Sequence, residues 1–379
     1  IGMLILGDLS QNVPIFFVLF FTAFSIYLAA VWRARAAHLK LVFVFGLIFR
    51  ATLLPSTPNL SDDIYRYLWD ARVQSETINP YKYAPSAPEL VHLREDTIYP
   101  RVNHLDVPTI YPPLAQITFL ASTLLSPTVW ALKLFLVGLD LLTAWLLIGL
   151  LRTYDLHTGR ILIYLWNPLL ILEVAGSGHI DILGVTFLIL SLLYVSVGGT
   201  GRAACALGLS VLGKGFAICL LPTFLRWAHA RSHSEERPTP KAWPFVLFCG
   251  TVSAGVLPYA DVGWGLFAGL WIYSKYWEFN ASVYGLLNGV LELGDLSRVA
   301  VGVLFLGAVL ALTFKNVHPI RSGYLLAGLF VLLTPTLHPW YLIWIIPFLV
   351  FYASPVWLVF TGLVALSYHV LIQFRSAGI

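Results

Sequence analysis

Residues 13–32 read VPIFFVLFFTAFSIYLAAVW, a run without a single charge, and Arg33, Arg35 and Lys40 follow at once. As a helix rising 1.5 Å per residue this run is about 30 Å long, the thickness of a bilayer's hydrocarbon core. It is a transmembrane helix, and the basic turn behind it belongs on the cytoplasmic side. The rest of the chain has the same character. Of 379 residues 58% are hydrophobic, 15% aromatic and only 11% charged, against roughly 25% charged in soluble domains. That excludes a soluble enzyme, and the aromatic content excludes disorder. The apolar runs are long and do not alternate, which excludes a transmembrane β-barrel.

Further spans are expected near 41–54, 128–151, 160–175, 181–198, 244–258, 299–314, 321–337, 340–353 and 355–373. Residues 113–126 are too short to cross comfortably, at about 21 Å. Residues 203–225 lie between two basic turns, so one full crossing would leave one cluster on the wrong side. A break around Gly213-Lys214-Gly215 into two half-helices restores parity. The fold expected is all-α: a polytopic transmembrane helical protein forming one integral-membrane domain over 1–379, with a further span before Ile1 left open. Basic residues place a loop at about 226–243 in the cytoplasm. The long polar stretch 55–112 then faces outside. It carries eight of the nineteen acids (Asp62, Asp63, Asp70, Glu76, Glu89, Glu95, Asp96 and Asp106) against five Lys and Arg. A loop of this size is functional or disordered, and its aromatics argue for order. Cys205, Cys219 and Cys249 sit in or beside apolar runs, without metal or disulfide spacing. No internal repeat is visible, which weakens a transporter built of inverted repeats.

The chemistry is expected where polar groups interrupt these runs. Ser61-Asp62-Asp63 opens a helical stretch, Ile64 to Arg72, with one apolar and one polar face. Helix capping with Ser61 as N-cap accounts for such acids on its own. The alternative is an amphipathic helix on the membrane surface that holds two carboxylates at a cavity mouth. An ionisable group at membrane depth is a functional candidate, and Lys214, flanked by glycines, is suited to a phosphate. Snorkelling to an interface is the competing role. Two further polar knots are Gly176-Ser177-Gly178-His179-Ile180-Asp181 and Thr334 to Tyr341, the latter holding His338, Trp340 and Tyr341. Lys133, Asp140 and Glu173 suit helix packing or helix ends. An Asp-Asp pair alone is a weak metal signal, and His-x3-His spacing is absent.

Six ordered stretches carry a family resemblance: SDDIYRYLWDARVQ…INPYKYAP (61–85), YPRVNHLDVPTIYPPLAQ (99–116), WNPLLILEVAGSGHIDIL (166–183), LSVLGKGFAICLLP (209–222), WEFNASVYGLL (277–287) and LLTPTLHPWYLIW (332–344). Together they resemble the integral-membrane glycosyltransferases of the GT-C class, specifically bacterial polyprenyl-phosphate-mannose-dependent mannosyltransferases. The resemblance implies eleven to thirteen spans and a first external loop with an acidic catalytic residue, at Asp62 or Asp63. It also implies a lysine at Lys214 and a late histidine at His338. The implied donor is a sugar, mannose by this resemblance, on a polyprenyl phosphate. Lys214, with His338 or Arg50, would bind that phosphate, and Arg66, Tyr111, His179, Asp181, Trp340 and Tyr341 would contact substrate. A carboxylate base and a single displacement would invert the anomeric centre. Such a preactivated donor requires no cofactor, nucleotide sugar or metal. Expected partners are a lipid, glycan or protein acceptor and the bilayer, with no nucleic acid. The expected location is a bacterial inner or plasma membrane, with the site on the extracytoplasmic face. A flippase of lipid-linked sugars is the competing class, and it leaves the carboxylate pair unexplained. A non-catalytic lipid-binding scaffold would tolerate loss of both carboxylates.

Overall fold

The computed structural model describes residues 2–33, 38–95, 97–232 and 241–376, and every regular element among them is helical. Arg35, Asp96 and residues 233–240 of the expected cytoplasmic loop lie outside the described residues. Val13–Val31, Val129–Thr153, Trp243–Tyr276, Asp295–Phe314 and Pro355–Gln373 are long and apolar enough to cross a bilayer. Thr158–Leu165 and Pro168–Gly176, bent by 56°, make a sixth crossing if counted as one. Their outer faces expose large apolar side chains, among them Trp264 (89% exposed), Trp271 and Leu296. In water so much apolar surface would drive association; in hydrocarbon it is the surface required. The chain is an all-α polytopic membrane protein.

The expected eleven to thirteen crossings are not all single full-length helices. Pro113–Leu125, Asp181–Ser196 and Pro319–Leu333 are short. Proline is a recurrent cause: Pro113, Pro168, Pro319, Pro339 and Pro355 each stand in the first turn of a helix. Proline lacks the N–H and clashes with the preceding turn, so helices start there instead of running through. Position follows from this. From Ile161 to Gly184 nearly every residue is buried, whereas the Trp243–Tyr276 and Asp295–Phe314 spans bury only 11% and 17% of their apolar windows. The irregular backbone around Pro168 is inside, where protein can satisfy it, whereas the 3-10 stretch Leu257–Phe267 buries only Tyr259.

Arg50, expected beside a phosphate, lies in this interior and does not line the cavity described below. Its Nε donates to Asp140 Oδ2 at 2.5 Å, and its Nη1 donates to the carbonyls of Gly46 and Leu165. Tyr164 donates to the other Asp140 oxygen at 2.7 Å. Both ions are fully buried. Removing one partner of such a pair costs about 3–5 kcal/mol, so Arg50 and Asp140 tie the Leu39–Leu53 helix to Val129–Thr153. Lys133 Nζ donates to the carbonyls of Leu53 and Ser56, closing the end of the Leu39–Leu53 helix.

The 55–112 loop is built around the Asp63–Ser75 helix, which is wrapped rather than laid on a surface. Ile64 to Ala71 and Val73 are all buried. Ile64, Tyr67 and Leu68 join the membrane core, while Trp69 and Val73 pack with Leu90, Leu93 and Val102 in a small core of the loop's own. The polar face is satisfied within the loop: Arg66 pairs with Asp70 at 3.0 Å, and Thr109 and Gln116 donate to the other Asp70 oxygen. Arg72 pairs with Glu95, whose carboxyl lies below the usual range because Arg72 bonds to it. Asp62, not Ser61, is the N-cap residue. Ser61 Oγ accepts from the Asp63 N–H at 3.3 Å.

Candidate active site

A cavity of about 460 Å³ opens between this loop and the interior helices. Asp62 and Asp63 stand on its wall at the start of the Asp63–Ser75 helix. Asn103 holds the pair, its Nδ2 donating to Asp62 Oδ1 at 2.9 Å and to Asp63 Oδ1 at 2.8 Å. Burial, followed by the neighbouring Asp63 charge, pushes the Asp62 carboxyl above its ordinary value. Mutual repulsion in such a pair disfavours charge on both members at once. Arg66 also lines the cavity, but Asp70 and the Val107 carbonyl hold it, not Asp62 or Asp63.

Lys214 lines the same cavity. The expected break is present: the Thr200–Gly213 helix ends at Lys214, whose backbone is extended (φ −159°, ψ 123°), before a short 3-10 turn. Gly184 lets the neighbouring helix come close, since a Cβ there would lie 2.7 Å from Trp344 and 3.1 Å from Lys214 Cβ. The ammonium meets Asp181 Oδ2 at 3.2 Å, and Trp344 Nε1 donates to the other Asp181 oxygen at 3.0 Å. Tyr111 and Tyr341 present their rings to Nζ at 5.6 and 5.9 Å, within cation–π range.

The third wall is a stack of rings. Trp340 lies 4.3 Å from the His338 ring at 2° and 3.8 Å from the His179 ring at 14°. Two imidazoles at these separations cannot share one face of an indole, so Trp340 is sandwiched between them. Phe279 stacks on His338 from the cavity side at 5.1 Å. Burial pushes the His338 imidazole down to about 4, against the opposing pull of the Asp63 charge. At neutral pH His338 therefore offers a hydrogen bond and no charge. His179 and Asp181 do not line the cavity; each is 1% exposed. They stand behind it, His179 facing Asp63 and Asp181 paired with Lys214.

Eight of the expected site residues thus line one cavity: Asp62, Asp63, Arg66, Tyr111, Lys214, His338, Trp340 and Tyr341. Asn103 was not foreseen, although it falls in the 99–116 stretch, because a lone amide carries no periodicity or charge to mark it. Trp277, packed edge-on against His104 at 4.7 Å, and Tyr368 complete walls whose residues lie far apart in sequence. Among the described residues no three His, Cys, Asp or Glu side chains are grouped as metal ligands would be.

A carboxylate pair and a lysine thus share one cavity of a polytopic membrane protein. A family model described as alpha-(1→6)-mannopyranosyltransferase, N-terminal domain, matches residues 11–231, more than half of the chain. A second, the MptB C-terminal domain, matches residues 281–379. The chain belongs to the alpha-(1→6)-mannopyranosyltransferase family and is a mannosyltransferase. No curated protein and no solved structure matches it.

Proposed function

We propose that the cavity moves a mannosyl group from a polyprenyl-phosphate mannose to the C6 hydroxyl of an acceptor mannoside, carried on a glycan, lipid or protein, on the extracytoplasmic side. One observation carries this reading: the Asp63 carboxylate and the Lys214 ammonium line the same cavity, where the 55–112 loop meets the helices. A polyprenol lies among the lipid tails with its phosphate near the interface, so donor and cavity meet at the same depth. Asp63 is the base: it is the member of the pair that faces the buried groups behind the cavity, with His179 Nδ1 3.8 Å from its Oδ2. Asp63 takes the proton as the acceptor oxygen forms its bond to the anomeric carbon. The bond from that carbon to the phosphate oxygen breaks, and polyprenyl phosphate leaves with the electron pair. Lys214 meets the charge that grows on the phosphate, where a preorganised cation lowers the barrier most. Displacement at one face inverts the centre, so a β-linked donor yields the α product.

Purified protein in detergent, given farnesyl-phosphate mannose and methyl α-mannoside, is expected to form disaccharide, and to form none when GDP-mannose replaces the lipid donor. Use of GDP-mannose would overturn the donor assignment. Movement of the lipid donor across proteoliposomes without any transfer would favour a flippase. The sidedness has its own check. A cysteine replacing exposed Glu89, with the three native cysteines removed, is expected to react with an impermeant thiol reagent in intact cells. Protection until the cells are opened would put the loop, and the cavity, on the cytoplasmic side.

A further inference from the structure

Behind Asp63 lies a buried group that this mechanism does not use. The His179 ring is 1% exposed, and neither of its nitrogens has a hydrogen-bond partner. Each faces a carboxylate: Nδ1 is 3.8 Å from Asp63 Oδ2, and Nε2 is 3.3 Å from Glu173 Oε2. Glu173 is fully buried, and its other oxygen accepts from Tyr368 Oη at 2.7 Å. Its Oε2 is orphaned apart from the imidazole. A buried carboxylate oxygen left unpaired is costly, so the arrangement calls for a structural or functional reason.

The backbone is bent to produce it. Residues Leu172–Gly176 form a π-turn, a distortion concentrated at functional sites. Gly178 takes φ +79°, and a Cβ there would lie 2.5 Å from Ile64, on the helix that carries Asp63. The His179 N–H donates to the Glu173 carbonyl at 2.9 Å, tying the two residues together. Trp340 then fixes the plane of the ring. Helix packing alone, the role expected of Glu173, does not require an imidazole between two acids.

We infer that His179, braced by Glu173, is a positioning residue for the base: it donates to Asp63 Oδ2 and so fixes which lone pair of the carboxylate meets the acceptor hydroxyl. The inference rests on the reading of Asp63 as base. Carrying a proton on both nitrogens, the imidazole has an N–H for each of the two carboxylates, and catalytic hydrogen bonds that are long in the absence of substrate tighten in the complex. Asn103 takes Oδ1 and His179 takes Oδ2, which leaves the carboxylate one orientation.

The experiment is a double-mutant cycle with farnesyl-phosphate mannose and methyl α-mannoside. His179→Phe keeps a flat ring against Trp340 and removes both nitrogens. It is expected to lower kcat about ten- to hundredfold, as sub-ångström misplacement does, with donor KM changed by less than about twofold. In an Asp63→Asn background the same change is expected to have no further effect on the residual rate, because it acts through the missing carboxylate. His179→Gln, which retains one donor, is expected to recover part of the loss. Full kcat in His179→Phe, or a loss that multiplies with that of Asp63→Asn, overturns the inference. Full transfer by Asp63→Asn overturns the base assignment, and this inference with it. If His179→Phe does not fold, Glu173→Gln enters the same cycle with the same expected coupling.

Discussion

Asp63→Asn is expected to cut mannosyl transfer by about 10²–10⁴-fold, the range general-base catalysis contributes, while the protein still binds donor. Asparagine keeps the size of the side chain and can still accept the Asn103 hydrogen bond, so the loop stays closed over the cavity. The structural cost is that of one negative charge in the first helical turn, about 0.3–1 kcal/mol, too little to unfold the chain. Asp62→Asn is the informative control. Asparagine there also keeps the Asn103 hydrogen bond and removes only a neighbouring charge, so a fall of less than about tenfold is expected, one contact's worth. Transfer rates of both variants, with retention of radiolabelled farnesyl-phosphate mannose measured alongside, separate the two roles. The reverse ranking would move the base to Asp62. Undiminished transfer in both would leave the pair without a catalytic part.

Lys214→Ala is expected to reduce transfer about ten- to more than hundredfold, the weight of one charge-assisted contact at 1.5–3 kcal/mol, through donor use rather than acceptor use. The geometry adds a complication with its own control. Asp181 is 1% exposed and pairs with Lys214 at 3.2 Å, so the alanine leaves a buried carboxylate with Trp344 as its remaining partner. Lys214→Ala combined with Asp181→Asn removes that stranded charge. A double variant that regains thermal stability but not donor use shows that the ammonium serves the donor phosphate and not only Asp181. Lys214→Arg is expected to recover only part of the activity, because a planar fork does not replace a point charge at this range. A donor dependence unchanged in Lys214→Ala would remove the lysine from phosphate binding.

The membrane class was plain from residues 13–32 and from the scarcity of charge, and the break at Lys214 from its flanking glycines. Other features were not legible for a common physical reason, the pairing of polar groups across long stretches of chain. Arg50 in an apolar run reads as a functional charge until Asp140 is found against it, ninety residues on. The Asp63–Ser75 stretch reads as amphipathic, with its polar face in water; inside the fold Arg66 and Asp70 satisfy each other, and both faces are buried. His179 was noticed as a polar interruption, yet its neighbours Glu173 and Tyr368 come together only through a π-turn and the last helices. Period and composition report what a side chain prefers, not which partner the fold brings to it.

The inward placement of the short and broken helices bears on how the chain enters a membrane. Pro113–Leu125 spans only about 20 Å, against a hydrocarbon core of about 30 Å. Taken alone, such a segment does not match the bilayer and leaves the ends of its backbone unsatisfied in lipid. Val13–Val31 and Asp295–Phe314 have no such difficulty, being long, apolar and lipid-facing. Insertion therefore divides the sequence into segments that partition one by one and segments that settle only against protein already in place. The cavity belongs to neither group alone: the stretch 60–111 supplies eleven of its lining residues, and Lys214, Tyr273, residues 338–341 and Tyr368 close it, so its walls meet only when loop, broken helices and full spans have come together.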